Sequence, residues 1–207
     1  DILGERTARK AVAQNADMLR SPAETITGAW ACLVDILGKP TARKFVVRSP
    51  TVLRSPAKTI TGAWTSLVDI LGGAPIARKV VQQIPNVLRS PAETVTGAWT
   101  SLVDIFGEDL ARNVLQETPA VFTSPAETVT GAWKSLVDML GEQLARKVAM
   151  KNPDMLRSPA ETITGAWISL VEILDEQIAR KVVVRNPAVL SSPSETMTGA
   201  WTSLVEI

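Results

Sequence analysis

The chain has 207 residues and a formal net charge of +1, from 22 Lys and Arg against 21 Asp and Glu. This balance gives no overall attraction to nucleic acid or to an anionic membrane, and no apolar run is long enough to predict a transmembrane helix. The lack of His and the single cysteine, Cys32, exclude an internal disulfide and most zinc sites and catalytic triads.

A unit of about 34 residues repeats six times and accounts for nearly the whole sequence. The motif Gly-Ala-Trp recurs in every copy, with its tryptophan at Trp30, Trp64, Trp99, Trp133, Trp167 and Trp201. Such a regular period predicts stacked copies of one supersecondary unit, each packing mainly against its neighbours. We place the units of this single array at 1–34, 35–68, 69–103, 104–137, 138–171 and 172–205. Because the array starts and stops inside the repeat pattern, we expect it to be a segment of a longer protein.

Each unit contains a short helix, as in the copy at 138–171. After Gly141, the apolar residues Leu144, Ala145, Val148 and Ala149 share one helical face. This helix must end before the proline at 153, because the residue preceding a proline is disfavoured in the α region. The remaining segment at 153–157 is too short for a full helix, and we predict one 3₁₀ turn there.

A longer helix follows, and the motif Ser-Pro-Ala-Glu predicts its start. We assign its serine as the helix N-cap at Ser21, Ser55, Ser90, Ser124, Ser158 and Ser192. An apolar stripe of about four turns then runs to a glycine such as Gly141, the expected C-terminal cap. The predicted fold class is therefore all-α, an α-solenoid of six helix–turn–helix repeats with a short 3₁₀ turn in each.

Two features of the long helix could have either a structural or a functional role. The glycine of Gly-Ala-Trp costs about 1 kcal/mol inside a helix, so we expect it to permit close approach of a neighbouring helix. The alternative is a ligand touching bare backbone. We predict that the six tryptophans form structural core between units, with Trp99 and Trp133 buried beside Val95 and Val129. A surface row that stacks bases, pigments or a partner is the alternative.

The order of these elements resembles a known family. In the fifth copy it reads Leu140-Gly141, Asn152-Pro153, Met155-Leu156, Ser158 and Glu161. This pattern is similar to the repeat of the mitochondrial transcription termination factor family of mitochondria and chloroplasts. The resemblance implies helix pairs with a 3₁₀ element in a curved superhelix that binds double-stranded nucleic acid, or sometimes a protein. The period also suggests tetratricopeptide repeats, but their motif matches less well, since Val68 replaces the expected glycine.

A pair of basic residues recurs on the short helix and could meet successive phosphates. The unit at 35–68 is strongly basic, with a formal charge of +5, whereas the other five units lie between −3 and +1. Its Arg43, Lys44 and Arg48 are therefore the candidate nucleic-acid contacts. The alternative is that these cations interact with helix C-termini and with acidic side chains of the next unit. The uneven charge favours this alternative, because a phosphate track should be basic throughout.

We therefore predict a non-catalytic helical-repeat scaffold or linker that binds protein partners within a larger assembly. No pair of acidic residues has the spacing of a catalytic dyad, so we expect no enzyme activity, no metal and no cofactor. The family resemblance implies a plastid or a mitochondrion as the location. An organellar nucleic-acid-binding protein is the alternative function, and nucleic acid is the less favoured partner.

Overall fold

The structure, a computed structural model, describes residues 3–207. Helix makes up 86% of it, and no strand occurs within this range. The α-helices are α1 Glu5–Gln14, α2 Ala23–Leu37, α3 Lys39–Arg48, α4 Ala57–Leu71, α5 Ala74–Gln83, α6 Ala92–Phe106, α7 Glu108–Glu117, α8 Ala126–Leu140, α9 Glu142–Lys151, α10 Ala160–Leu174, α11 Glu176–Arg185 and α12 Ser194–Val205. The 3₁₀ segments are Ala16–Arg20, Pro50–Arg54, Pro85–Arg89, Pro119–Thr123, Pro153–Arg157 and Pro187–Ser191. The predicted fold class is confirmed.

Each structural repeat consists of a short helix, a 3₁₀ segment and a long helix, and we number the repeats one to six in chain order. The short helices have 10 residues, and the long helices have 15 except for α12 with 12. The unit boundaries drawn from the sequence fall inside the last turn of each long helix. The predicted units therefore contain the same three elements as the structural repeats, but each unit starts near the end of a long helix and each structural repeat starts with a short helix.

The predicted serine N-caps are wrong by one residue. Ser21, Ser55, Ser90, Ser124, Ser158 and Ser192 instead close the preceding 3₁₀ segments in extended conformation. In α10 the cap is Pro159, with φ −55° and ψ 144°, and its carbonyl accepts from the N–H groups of Thr162 and Ile163 at 3.0 and 3.3 Å. A proline in this extended conformation presents its carbonyl to the first turn and leaves no N–H unsatisfied. The N–H of Ser158 is already used by the Met155 carbonyl, 3.0 Å away.

Residues with positive φ link each long helix to the next short helix. There are two between α4 and α5, Gly72 and Gly73, and one at each of the other links. Gly141, for example, has φ 77° and ψ 154°, and it ends α8 and caps α9. Asp175 takes the same conformation at φ 68° and ψ 163°, a region that is essentially reserved for glycine. Its carboxylate accepts from the Ile178 N–H at 3.0 Å, which caps the start of α11. The side-chain cap therefore offsets part of the backbone strain.

The chain forms two compact units, Asp1–Thr96 and Gly97–Ile207. In the first, α2 packs against α4, α1 packs against α3, and the 3₁₀ segments Pro50–Arg54 and Pro85–Arg89 pack on α2 and α4. The fully buried side chains of this core include Leu33, Leu53, Ile60, Leu67 and Leu88. The core thus combines the apolar stripes of long helices with the leucines of the 3₁₀ segments.

The second unit repeats this arrangement. Its long helix α10 packs between α8 and α12, α9 packs against α11, and the segments 153–157 and 187–191 pack on α8 and α10. Fully buried side chains include Phe122, Leu136, Met155, Leu156 and Ile163. In both units, successive repeats are therefore joined by long helices and by 3₁₀ segments, as neighbour coupling in a solenoid requires.

The interior glycines lie where successive long helices meet, as predicted. A Cβ on Gly97 would lie 3.2 Å from the Cβ of Ala126, and one on Gly131 would lie 3.6 Å from that of Ala160. The first distance is shorter than an ordinary carbon–carbon contact. A bare backbone at this position therefore lets the first residue of the next long helix pack closely.

Candidate partner-binding surfaces

The tryptophan row is less buried than we predicted. Trp30 is buried, with 8% of its surface exposed, whereas Trp64, Trp99, Trp133 and Trp167 are half-buried and Trp201 is 43% exposed. Val95 and Val129 are fully buried as expected. The prediction of a buried tryptophan core therefore needs correction.

The physical reason is that the indoles lie at the edge of the apolar stripe, where polar groups reach them. The Arg112 guanidinium lies 5.4 Å from the ring centroid of Trp99, and that of Arg180 lies 5.9 Å from that of Trp167. Trp133 instead contacts Phe106, with ring centroids 6.2 Å apart and tilted by 58°. A cation over an indole face is stabilised by the ring quadrupole while it keeps contact with water. These tryptophans thus serve as packing platforms at the rim of the core.

The arginine column of the short helices is largely occupied within the protein. Arg78 donates to the Ile36 carbonyl at 2.8 Å, and Arg180 donates to the Leu140 carbonyl at 3.2 Å, in the last turns of α2 and α8. This agrees with the predicted interaction with helix C-termini. The predicted acidic partners in the next unit are wrong for Arg112 and Arg180. Their carboxylates come from the same helix, four residues earlier, at 2.7 and 2.8 Å.

The candidate nucleic-acid contacts Arg43, Lys44 and Arg48 lie exposed on α3. The buried side of this helix is formed by Ala42, Phe45 and Val46. None of the three cations takes part in an ion pair described for residues 3–207. They are therefore available to an anionic partner, although no pocket described here encloses them.

A cationic groove lies elsewhere, between α9 and α11. Its Lys147, Arg180 and Lys181 belong to the basic pairs that recur on the short helices, but the charge of whole units favoured α3 instead. Its volume is about 570 Å³, and five of its seven lining residues are basic. The lining residues are Leu144, Lys147, Lys151, Arg180, Lys181, Val184 and Arg185. Lys151 donates to the Val184 and Arg185 carbonyls at 3.2 and 2.6 Å. Lys147 and Lys181 are exposed and have no described ion pair, so they could meet an anion.

The formal charge of whole units does not indicate this groove. The units at 138–171 and 172–205 have acidic residues elsewhere that cancel these cations. The sequence feature that does indicate the groove is the four-residue spacing of Lys147 and Lys151 and of Lys181 and Arg185. Residues four apart share a helical face, which places each pair on one side of its helix.

The most exposed apolar surface lies on the last helix. We call Gly199, Ala200, Trp201, Leu204 and Val205 of α12 the terminal face. All five are exposed, with Leu204 at 67%, and α12 contains no buried residue. The counterparts of Leu204 are fully or almost fully buried, at Leu33, Leu67, Leu102, Leu136 and Leu170. The counterparts of Ala200 are all fully buried, at Ala29, Ala63, Ala98, Ala132 and Ala166. The terminal face thus has the same residue types that form the buried contacts between successive interior repeats.

Residues 3–207 offer neither a membrane span nor a metal site. No helix in that range is both long and apolar enough to cross a membrane. The described Cys, Asp and Glu side chains form no group of three or more that could hold a metal ion.

Neither a scan against protein-family models nor a search of curated proteins finds a match to this chain.

Proposed function

We propose that the chain is a non-catalytic helical-repeat scaffold that binds protein partners within a larger assembly. The observation that carries this proposal is the terminal face, where residues that are buried in the interior repeats are exposed. Large apolar patches on a protein surface mark interaction sites. Full burial of a side chain such as Leu204 contributes about 1.5–3 kcal/mol, so a few such residues supply much of a binding energy.

The contacts of the recurring arginines also favour a protein partner over nucleic acid. The arginines that recur in every repeat are largely engaged with carboxylates, helix carbonyls and indole rings, and they do not form a free cationic row. The apolar contact between repeats could also be made by a helix of another protein. Such a helix would need only a small residue opposite the glycine and a large apolar residue beside it. An organelle as the location rests on the family resemblance alone, and organelle fractionation with immunodetection tests it.

The test is affinity capture from cells that express the chain, with Leu204→Glu against Thr202→Glu as the matched control. Thr202 lies on the same helix, and its counterpart Ile168 is 51% exposed even within an interior repeat, so this position is outside the repeat contact. We expect Leu204→Glu to remove the captured protein and Thr202→Glu to retain it. Equal capture by both variants would contradict the proposal.

A second candidate function is nucleic-acid binding of the type implied by the family resemblance. The observation that favours it is the groove between α9 and α11, with Lys147 and Lys181 directed to solvent. Binding to phosphates releases counterions, so affinity must fall steeply as salt is raised. Fluorescence anisotropy with labelled duplex and single strand at low and moderate salt measures this.

Two double variants then locate the site. The variant Lys147→Glu/Lys181→Glu removes the groove, and Arg43→Glu/Lys44→Glu removes the basic surface of α3. If the groove is the site, only the first variant loses binding. Absence of binding at low salt would eliminate this candidate function.

A further inference from the structure

The groove between α9 and α11 has three cations that its own helices do not neutralise. Lys147, Lys181 and Arg185 line the groove and are exposed, and none of them takes part in an ion pair in the part of the chain that the structure describes. The acidic residues of these two helices, Glu142 and Glu176, each pair with the arginine four residues later. The three charges therefore remain available to an anionic partner.

The other lining residues fix the walls of the groove and make part of it apolar. Lys151 of α9 donates to the carbonyls of Val184 and Arg185 in the last turn of α11, at 3.2 and 2.6 Å. Arg180 is held by its ion pair at 2.8 Å and by a carbonyl at the end of α8. The apolar lining comes from Leu144 and Val184, which are half-buried. The groove thus combines an apolar pair with free cations on both of its helices.

The basic surface does not continue onto the preceding short helix. The positions of Lys147 and Lys151 are occupied in α7 by Asn113 and Glu117, which are both exposed. A phosphate backbone would need cations on successive helices, and it presents no apolar side chain to contact Leu144. The groove is therefore better suited to a short ligand that carries both carboxylates and apolar groups.

We infer that this groove binds an acidic amphipathic helix of a partner protein. The inference rests on the proposed function and names the chemistry of one partner. An apolar side chain of that helix packs on Leu144 and Val184, and carboxylates on its two sides face Lys147 on α9 and Lys181 and Arg185 on α11. The last two cations are four residues apart, about 6 Å along the helix axis, and carboxylates four residues apart on the partner have the same spacing. An amphipathic helix in an apolar groove is a common mode of peptide recognition.

Fluorescence anisotropy with a synthetic peptide and the full chain tests the inference. The labelled probe has about 16 residues, enough for partial helicity, with leucines along one face and glutamates on both sides of that face. Two matched peptides replace either every glutamate by glutamine or every leucine by serine. We expect the first peptide to bind and each of the other two to bind at least about tenfold more weakly, because one loses its charges and the other its apolar face.

Two charge-reversal variants then locate the site. Lys181→Glu/Arg185→Glu reverses one side of the groove, and Lys44→Glu/Arg48→Glu makes the same change at the corresponding positions of α3. All four side chains are exposed, so neither variant places a charge in the core, and circular dichroism checks that both remain folded. We expect the groove variant to bind the peptide at least about tenfold more weakly, since like charges then meet, and the α3 variant to bind it like the parent chain. Equal weakening by both variants would overturn the inference, because the peptide would then respond only to net charge.

Three other results would also overturn it. One is the absence of peptide binding with a Kd below about 1 mM, and another is binding of the serine peptide as tight as that of the leucine peptide. The third is a labelled duplex or single strand that loses binding in the groove variant and is not displaced by the peptide, which would assign the groove to nucleic acid. The terminal face is unchanged in all of these proteins. Failure of the peptide experiment is therefore distinct from failure of the scaffold proposal, which is tested by capture with Leu204→Glu.

Discussion

Arg180 connects three elements of the second compact unit, and its removal should cost more than removal of its counterpart Arg146. Arg180 pairs with Glu176 at 2.8 Å, donates to the Leu140 carbonyl at 3.2 Å and lies 5.9 Å from the Trp167 ring centroid. Arg146 pairs with Glu142 at 3.4 Å and has no described contact with a ring or a helix carbonyl. The two arginines occupy the same position of successive short helices.

The magnitude follows from these contacts. The Arg180 side chain is 36% exposed, so its ion pair contributes about 0.5 kcal/mol after screening by solvent. The indole contact adds about 0.5–1 kcal/mol, and the hydrogen bond to the carbonyl adds about 1 kcal/mol. We therefore expect Arg180→Ala to lower the free energy of unfolding by about 2 kcal/mol. Arg146→Ala, which loses only a longer exposed pair, should cost about 0.5 kcal/mol or less.

Urea unfolding followed by far-UV circular dichroism measures both variants, and the difference between them cancels the change in helix propensity. Because repeats can unfold separately, hydrogen exchange of peptides from α8, α10 and α11 should accompany it. We expect faster exchange at the end of α8 and in α11 for Arg180→Ala. Equal losses for the two variants, or unchanged exchange at the end of α8, would refute the reasoning.

Three further predictions concern the repeat contacts. Gly131→Ala should stabilise the chain by up to about 1 kcal/mol through helix propensity. Gly97→Ala should stabilise it less, or destabilise it, because the new Cβ would lie 3.2 Å from that of Ala126. Thermal unfolding of the two variants checks this difference. Asp175→Ala loses the cap and keeps the backbone strain, so it should be less stable than Asp175→Gly by about 1–3 kcal/mol in urea unfolding. Because Trp133 is half-buried, Trp133→Ala should lower the free energy of unfolding by about 2 kcal/mol, less than the ~3–5 kcal/mol lost with a fully buried indole. A melting curve that shows no loss of stability would contradict this.

Sequence periodicity was sufficient for the fold because each repeat carries the same local signals. The proline at 153 ended α9, Gly141 separated α8 from α9, and the glycine of Gly-Ala-Trp marked the close approach of long helices. The start of α10 was misplaced by one residue, since Ser-Pro fits both a serine cap with proline in the first turn and a proline cap after an extended serine. Only the backbone conformation of Pro159 distinguishes these two arrangements.

The candidate surfaces were less accessible to sequence reasoning, for a different physical reason. The apolar stripe shows that Trp167 and Trp201 occupy the same position in their helices. Their exposure, however, depends on which neighbouring elements pack on each helix. The groove between α9 and α11 likewise depends on two helices that lie far apart in the sequence. Net charge per unit could not reveal it, because Lys147 and Lys181 are balanced by acids on other faces.

Site-specific crosslinking tests the central claim, that the terminal face binds protein, most directly. In a Cys32→Ser background, a photo-crosslinker is attached to Ser203→Cys on α12 and, separately, to Lys181→Cys in the groove. Among the interior counterparts of Ser203, Ser101 and Ser169 are buried at 4% exposure, and Ser66 and Ser135 are half-buried. Position 203 is therefore one that a neighbouring helix covers at least in part in the interior repeats. The account predicts adducts from position 203 that are removed by protease and resist nuclease. Nuclease-sensitive adducts from position 181, with none from position 203, would contradict it.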